Sequence, residues 1–149
     1  IIAVNPLPEA GLMNFTDPQN PLKMLTGGTK ISDVFVPITI NGDVAFMKAI
    51  LLKLLEKEEA EGLVFDNDFI NKYTHGYNAF ITDLRTYNFN DCLRESGVNK
   101  SIFDEAFDLI LNNNKIIVCW AMGLTQHKNA VDNIREIVNL LLLKGSIGR

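Results

Sequence analysis

Apolar residues recur along this chain in two rhythms. Ile1-Ile2-Ala3-Val4, Val34-Phe35-Val36-Pro37-Ile38 and Lys115-Ile116-Ile117-Val118-Cys119-Trp120 are short runs without polar alternation. Such runs suit strands buried on both faces of a parallel sheet. Pro6 and Pro8 stop the first of them. Residues 44–58 follow a helical rhythm instead. Val44, Met47, Leu51, Leu54 and Leu55 make one stripe, with Lys48, Lys53, Glu56 and Lys57 as the expected solvent arc and Asp43 as the expected cap. Shorter amphipathic stretches follow at 66–73, 76–84, 88–95 and 101–112, the last with Ser101 as its expected N-cap. A long helix is expected over 128–144, with a stripe of Ala130, Val131, Ile134, Ile137, Val138 and Leu141 and with Gly145 in the C′ position. The order β–loop–β–α–(α)–β–α predicts an α/β fold: a partial doubly wound, Rossmann-like parallel sheet of about three strands with flanking helices.

Residues 5–33 carry no such rhythm. Gly11, Pro18, Pro21, Gly27 and Gly28 punctuate them, and a loop this long predicts loose packing over 10–30. A length of 149 residues suits one domain, 1–149. The apolar share of 47% excludes disorder. A net charge of −4 gives no reason to expect nucleic acid as a partner. No apolar run approaches the roughly 20 residues of a membrane span. Cys92 and Cys119 form no disulfide framework or metal motif, which agrees with the reducing cytoplasm. Cys119, inside an apolar run, is expected to be buried. The start in an apolar run without Met, and the stop at a glycine turn, suggest a fragment of a larger multidomain polypeptide.

Ligands of open parallel sheets sit beyond the carboxyl ends of the strands. Those ends are here Asn5 to Glu9, Ile40 to Asp43 and Trp120 to His127. No GxGxxG or Walker pattern supports a standard dinucleotide or triphosphate site. Gly27-Gly28-Thr29 reads as a plain turn or as a small set of phosphate-facing amides. Asp66 and Asp68 suit a helix N-terminus, and Glu56, Glu58, Glu59 and Glu61 a solvated helix end.

The run Ile117-Val118-Cys119-Trp120-Ala121-Met122-Gly123-Leu124-Thr125-Gln126-His127, followed by Leu140-Leu141-Leu142-Leu143-Lys144-Gly145-Ser146-Ile147-Gly148, resembles the molybdopterin oxidoreductase family. More narrowly, it is similar to the formate dehydrogenase-like alpha subunits, where a strand enters an A-M-G-x-T-Q-H loop and a helix ends L-x-G-N-I-G. Ser32 to Ile38 resembles the family's A-D-x-x-x-P-I strand, Asn41 to Ala45 its G-T-D-x-A turn, and Asp68 to Tyr77 its F-I-x-x-H-T-x-G-F segment.

The resemblance implies a fragment of a much longer catalytic subunit that holds molybdenum or tungsten in two molybdopterin guanine dinucleotides and oxidises a small substrate such as formate by two electrons. It implies that Asn5, Glu9, Asn41, Gly42 and Asp43 lie near a guanosine end, and Met122 and Gln126 near the pterin and phosphates. It implies the remaining domains of the parent as partners. A 4Fe-4S cluster would belong to the parent and would take no ligand from this chain, which also lacks the family's metal-ligating Cys or selenocysteine. Asn5 stands where the family often has Asp, and an amide cannot accept both guanine donors. The alternative reading is a stand-alone α/β binding or interaction module without redox activity.

Overall fold

The computed structural model describes residues 1–17, 19 and 27–148. Strand β1 (Ile2–Asn5) pairs in parallel with β4 (Val34–Pro37), with Ile2 opposite Val34 and Asn5 opposite Pro37. Between them lie a four-residue helix α1 (Ala10–Met13) and the two-residue strands β2 (Asn14–Phe15) and β3 (Thr29–Lys30), which pair antiparallel. Helix α1 buries nothing, and both small strands are exposed. The rest of the segment expected to pack loosely, residues 18 and 20–26, falls outside the described residues.

Helices α2 (Asp43–Glu61), α3 (Asn67–Tyr73), α4 (Tyr77–Leu84), α5 (Phe89–Ser96), α6 (Lys100–Leu111), α7 (Met122–Thr125) and α8 (Ala130–Leu143) follow. Helix α2 is central. It packs on α5, α8 and α4, while α6 packs on β4. Its Ala49, Leu51 and Leu54 are fully buried together with Val36, Leu84, Phe103 and Ala106. Phe103 joins α2, α5 and α6 through ring contacts to Phe46 and Phe89 at 6.0 and 5.3 Å. The α/β class with a parallel sheet and flanking helices is as expected.

Several local expectations fail for identifiable reasons. Residues 115–120 pair with no strand among the described residues. Ile116 packs against the core and its amide donates to the Ser146 hydroxyl, but the opposite side of the run is open: Ile117 is 89% exposed and Cys119 is exposed as well. The N-cap of α6 is Asn99, whose side chain accepts from the Ser101 amide; its more extended backbone precedes the helix, so Ser101 lies inside it. Glu58 is not a solvated end residue. Its carboxylate accepts from the Val64 and Phe65 amides at 2.8 and 2.9 Å and from Asn67. That satisfies two backbone donors where α2 stops at Gly62. Helix α8 is rotated relative to its expected stripe. It buries Asn133, Glu136, Ile137, Leu140 and Leu143, while Val131 is 62% exposed. Its end does follow expectation: the Gly145 amide donates to Leu142 and the Ser146 amide to Leu141, a Schellman motif with Gly145 at φ 58°.

Candidate functional site

The carboxyl ends of β1 and β4 lie side by side, since Asn5 is in register with Pro37. Asn5 is half-buried, and its Nδ2 donates to the Leu7 carbonyl at 2.7 Å. Glu9 is exposed at the start of α1, and its carbonyl accepts from the Leu12 and Met13 amides. Beyond β4 the chain is braced against the end of α5. The Thr39 amide donates to the Ser96 carbonyl at 2.9 Å, and the Gly42 amide to the Thr39 carbonyl at 2.8 Å. A Cβ on buried Gly42 would stand 2.9 Å from the Ser96 carbonyl oxygen, so a side chain there must move backbone. Asn41 holds φ 69°, the only positive value at a non-glycine among the described residues. Asn tolerates this left-handed conformation better than most residues.

Asp43 is the first residue of α2 rather than its cap. Gly42 occupies the N-cap position, and no side chain caps the helix. Asp43 is half-buried. Burial pushes its carboxyl pKa up, while its own backbone amide and the nearby His127 pull the other way. The charge of His127, 84 positions away in sequence, thus reaches Asp43.

The segment expected as a loop over 121–127 contains the short helix α7. Met122, which opens it, is 66% exposed, and the Gln126 amide donates to the Met122 carbonyl at 2.9 Å. Gln126 Nε2 lies 3.4 Å from the Met122 sulfur, which places both side chains on one exposed turn. Behind the turn stands Asn133, 1% exposed, whose Nδ2 donates to the Leu124 carbonyl at 3.3 Å. Its Oδ1 is buried without a partner among the described residues. An unsatisfied buried acceptor costs about 1–3 kcal/mol. The signal for Asn133 in the sequence was a polar residue three and four positions before Glu136 and Ile137, in line with the buried face of α8.

Lys48 overturns its expected place on the solvent arc. It is 5% exposed, and its Nζ lies 3.0 Å from Glu136 Oε1, 3.2 Å from Asp83 Oδ2 and 4.4 Å from the centre of the Tyr87 ring. Burial alone would lower its pKa, but the hydrogen bond and charge of Glu136, aided by Asp83, raise it. The pair joins α2 to α8, the helices that follow the two strand-end segments. At the far end of α8, buried Lys144 donates to the Leu111 carbonyl at 3.1 Å, and burial lowers its pKa.

Among the described residues no group of three or more His, Cys, Asp or Glu side chains is placed to hold a metal, and no helix is long and apolar enough to cross a membrane. Cys92 is buried on α5 and Cys119 exposed, so the two share no site.

No protein-family model matches the chain. Its sequence is 36% identical to protein YdeP of Escherichia coli over 155 aligned residues, which cover 100% of this chain and 20% of that protein. It is 37% identical over 150 residues to an uncharacterized oxidoreductase of Mycobacterium tuberculosis, covering 100% of this chain and 19% of the relative. It is 30% identical over 124 residues to the alpha subunit of F420-dependent formate dehydrogenase 1 of Methanococcus maripaludis, covering 83% of this chain and 18% of that subunit. The acetylene hydratase of Pelobacter acetylenicus shares the fold, with a TM-score of 0.71 at 15% identity over 99% of this chain and 17% of the hydratase. The chain therefore spans about a fifth of the length of the relatives it matches. The resemblance to formate dehydrogenase-like oxidoreductases is borne out by these relatives.

Proposed function

We propose that this homologue of formate dehydrogenase-like oxidoreductases is part of the α/β domain that cradles a molybdopterin guanine dinucleotide in a longer, cytoplasmic catalytic subunit. The observation that carries the reading is Asp43. It is a half-buried carboxylate at the open N-terminus of a 19-residue helix, beyond the carboxyl end of a parallel strand, and it feels the charge of His127, which follows the turn that bears Met122 and Gln126. These residues suit the dinucleotide. A carboxylate has two oxygens for the ring N–H and the amino group of guanine, and such charge-assisted pairs are strong. The desolvation of Asp43 is a cost that a pair of donors from a base would offset.

Around it, Asn41 and Gly42 shape the turn, with Gly42 letting it pack on Ser96, and Asn5 and Glu9 line the neighbouring strand end. Gln126 offers a donor and an acceptor to a pterin edge, and Met122 an apolar, polarizable surface to its ring. Molybdenum or tungsten carried by the bound cofactor supplies the two-electron exchange with a small substrate such as formate. This chain's residues bind and orient. The metal ligand, the 4Fe-4S cluster and the substrate-facing groups belong to the rest of the parent, whose other domains also cover the exposed Ile117, Trp120 and Val131.

Metal and pterin analysis of the full-length protein, purified without air, tests this reading. Molybdenum or tungsten together with pterin and released GMP is the expected result. Protein that carries neither metal nor pterin favours a stand-alone α/β module.

A further inference from the structure

The Lys48–Glu136 pair is buried on both sides, with side-chain exposures of 6% and 10%. Buried ion pairs of this kind are poor sources of net stability, because desolvation offsets most of the attraction and an apolar pair of similar volume often serves as well. Their better attested use is to hold two elements in one register. The position of this pair fits that use. Lys48 lies five residues after Asp43 on α2, and Glu136 three residues after Asn133 on α8. At the helical rise these separations are about 7.5 and 4.5 Å. Asn133 in turn holds the Leu124 carbonyl in the turn between Met122 and Gln126. A continuous chain of contacts thus runs from Asp43 along α2, across Lys48 and Glu136, along α8 and through Asn133 to that turn.

We propose that Lys48 and Glu136 are positioning residues for the candidate site, fixing the spacing between Asp43 and the Met122–His127 turn. The ion pair gives the two helices a single sliding and rotational setting, which a contact between aliphatic side chains would not. Asp83, 58% exposed, is the adaptable third member and contributes less to the setting. The proposal rests on the reading of Asp43 as the guanine acceptor for its functional consequence, but its geometric part stands apart from that reading.

The test compares the 149-residue chain with Lys48→Met, Lys48→Met/Glu136→Met and Glu136→Gln. Each is followed by thermal unfolding, by carboxyl-carbon NMR titration of Asp43, and by titration with GMP and AMP. Lys48→Met leaves a buried carboxylate unpaired, and its Tm is expected to fall by roughly 10 °C. The double variant is expected to regain most of that Tm. Its Asp43 should nevertheless titrate closer to the ordinary carboxylate range, and its GMP affinity should drop about tenfold, the size of one lost charge-assisted hydrogen bond. Glu136→Gln, which keeps an acceptor on Lys48, should stay near the parent in the Asp43 titration. A double variant that fails to fold, or that folds with Asp43 titration unchanged, overturns the proposal. If the Asp43 titration moves as expected but the parent chain does not prefer GMP to AMP, the positioning role stands and the guanine reading fails.

Discussion

Gly62 and Gly97 have nearly the same backbone, φ 71° and 72°, and opposite surroundings. A Cβ on Gly62 would meet nothing within 4 Å, whereas one on Gly97 would overlap the Thr39 hydroxyl and stand 3.1 Å from its Cβ. Alanine at either position bears the left-handed penalty, about 1–2 kcal/mol. At Gly97 the crowding adds about 1–3 kcal/mol for an overpacked site. Gly62→Ala should therefore cost about 1 kcal/mol and Gly97→Ala about 3 kcal/mol. For a chain of this size those losses correspond to Tm decreases of roughly 3 and 9 °C. Thr39→Ala removes the overlapping hydroxyl, so adding it to Gly97→Ala should recover about 1 kcal/mol of the difference. Urea unfolding with a shared slope measures all four proteins. Equal losses for the two glycine variants would refute the reasoning, because Thr39 would then not be pinned where its amide bonds Ser96. The same pinning holds the Asn41–Asp43 turn, so the experiment also reports on the rigidity of the candidate site.

Other expectations follow from the same geometry. Leu140→Ala, at a 3% exposed position of α8, should cost about 2–5 kcal/mol, while Val131→Ser on the exposed face should change stability by under about 0.5 kcal/mol; equal effects in chemical unfolding would return α8 to its expected stripe. Lys48 titrates above its ordinary value near 10.5, so its contribution is complete below that pH and is lost as pH rises through the folded value. Lys48→Met should accordingly show less alkaline loss of stability than the parent in a pH series of melts. Limited proteolysis should cut first between Phe15 and Thr29, where the flanking strands are exposed and only two residues long; first cleavage within α2 would contradict this.

The fold class was legible because Ala3 in β1, Val34 and Val36 in β4, and Leu51, Leu54 and Leu55 in α2 are buried where the local rhythm marks them, although Val4 of β1 stays exposed. The register of α8 was less legible. Its apolar residues cover more than half its circumference, so periodicity could not choose between the face with Ile134 and Leu141 and the one with Leu140 and Leu143, both of which include the buried Ile137. The choice is made by two polar residues, Asn133 and Glu136, which turn inward to Leu124 and Lys48. A period-based reading assigns such residues to solvent. Residues 115–120 show the converse. Their composition describes a strand covered on both faces, whereas Ile117 and Cys119 are exposed among the described residues. At the candidate site, the turn at Asn41 and Gly42 and the helix that follows were legible from the strand–turn–helix pattern, one residue off at the cap. Asn133 was not, since its place comes from its hydrogen bond to the Leu124 carbonyl.

The central claim is that Asp43 reads guanine. Titrating the 149-residue chain with GMP and with AMP, beside Asp43→Ala, tests it directly. An isolated part of the cradle must order its own loops and lacks most pterin contacts, so GMP should bind with a Kd of roughly 1 mM, about −4 kcal/mol. AMP should bind more weakly, and Asp43→Ala should erase the difference. Asp43→Ala should remove little stability, under about 1 kcal/mol, because burial already disfavours the charge that the helix N-terminus favours. An equal response to both nucleotides, or a preference for GMP that survives Asp43→Ala, would contradict the account.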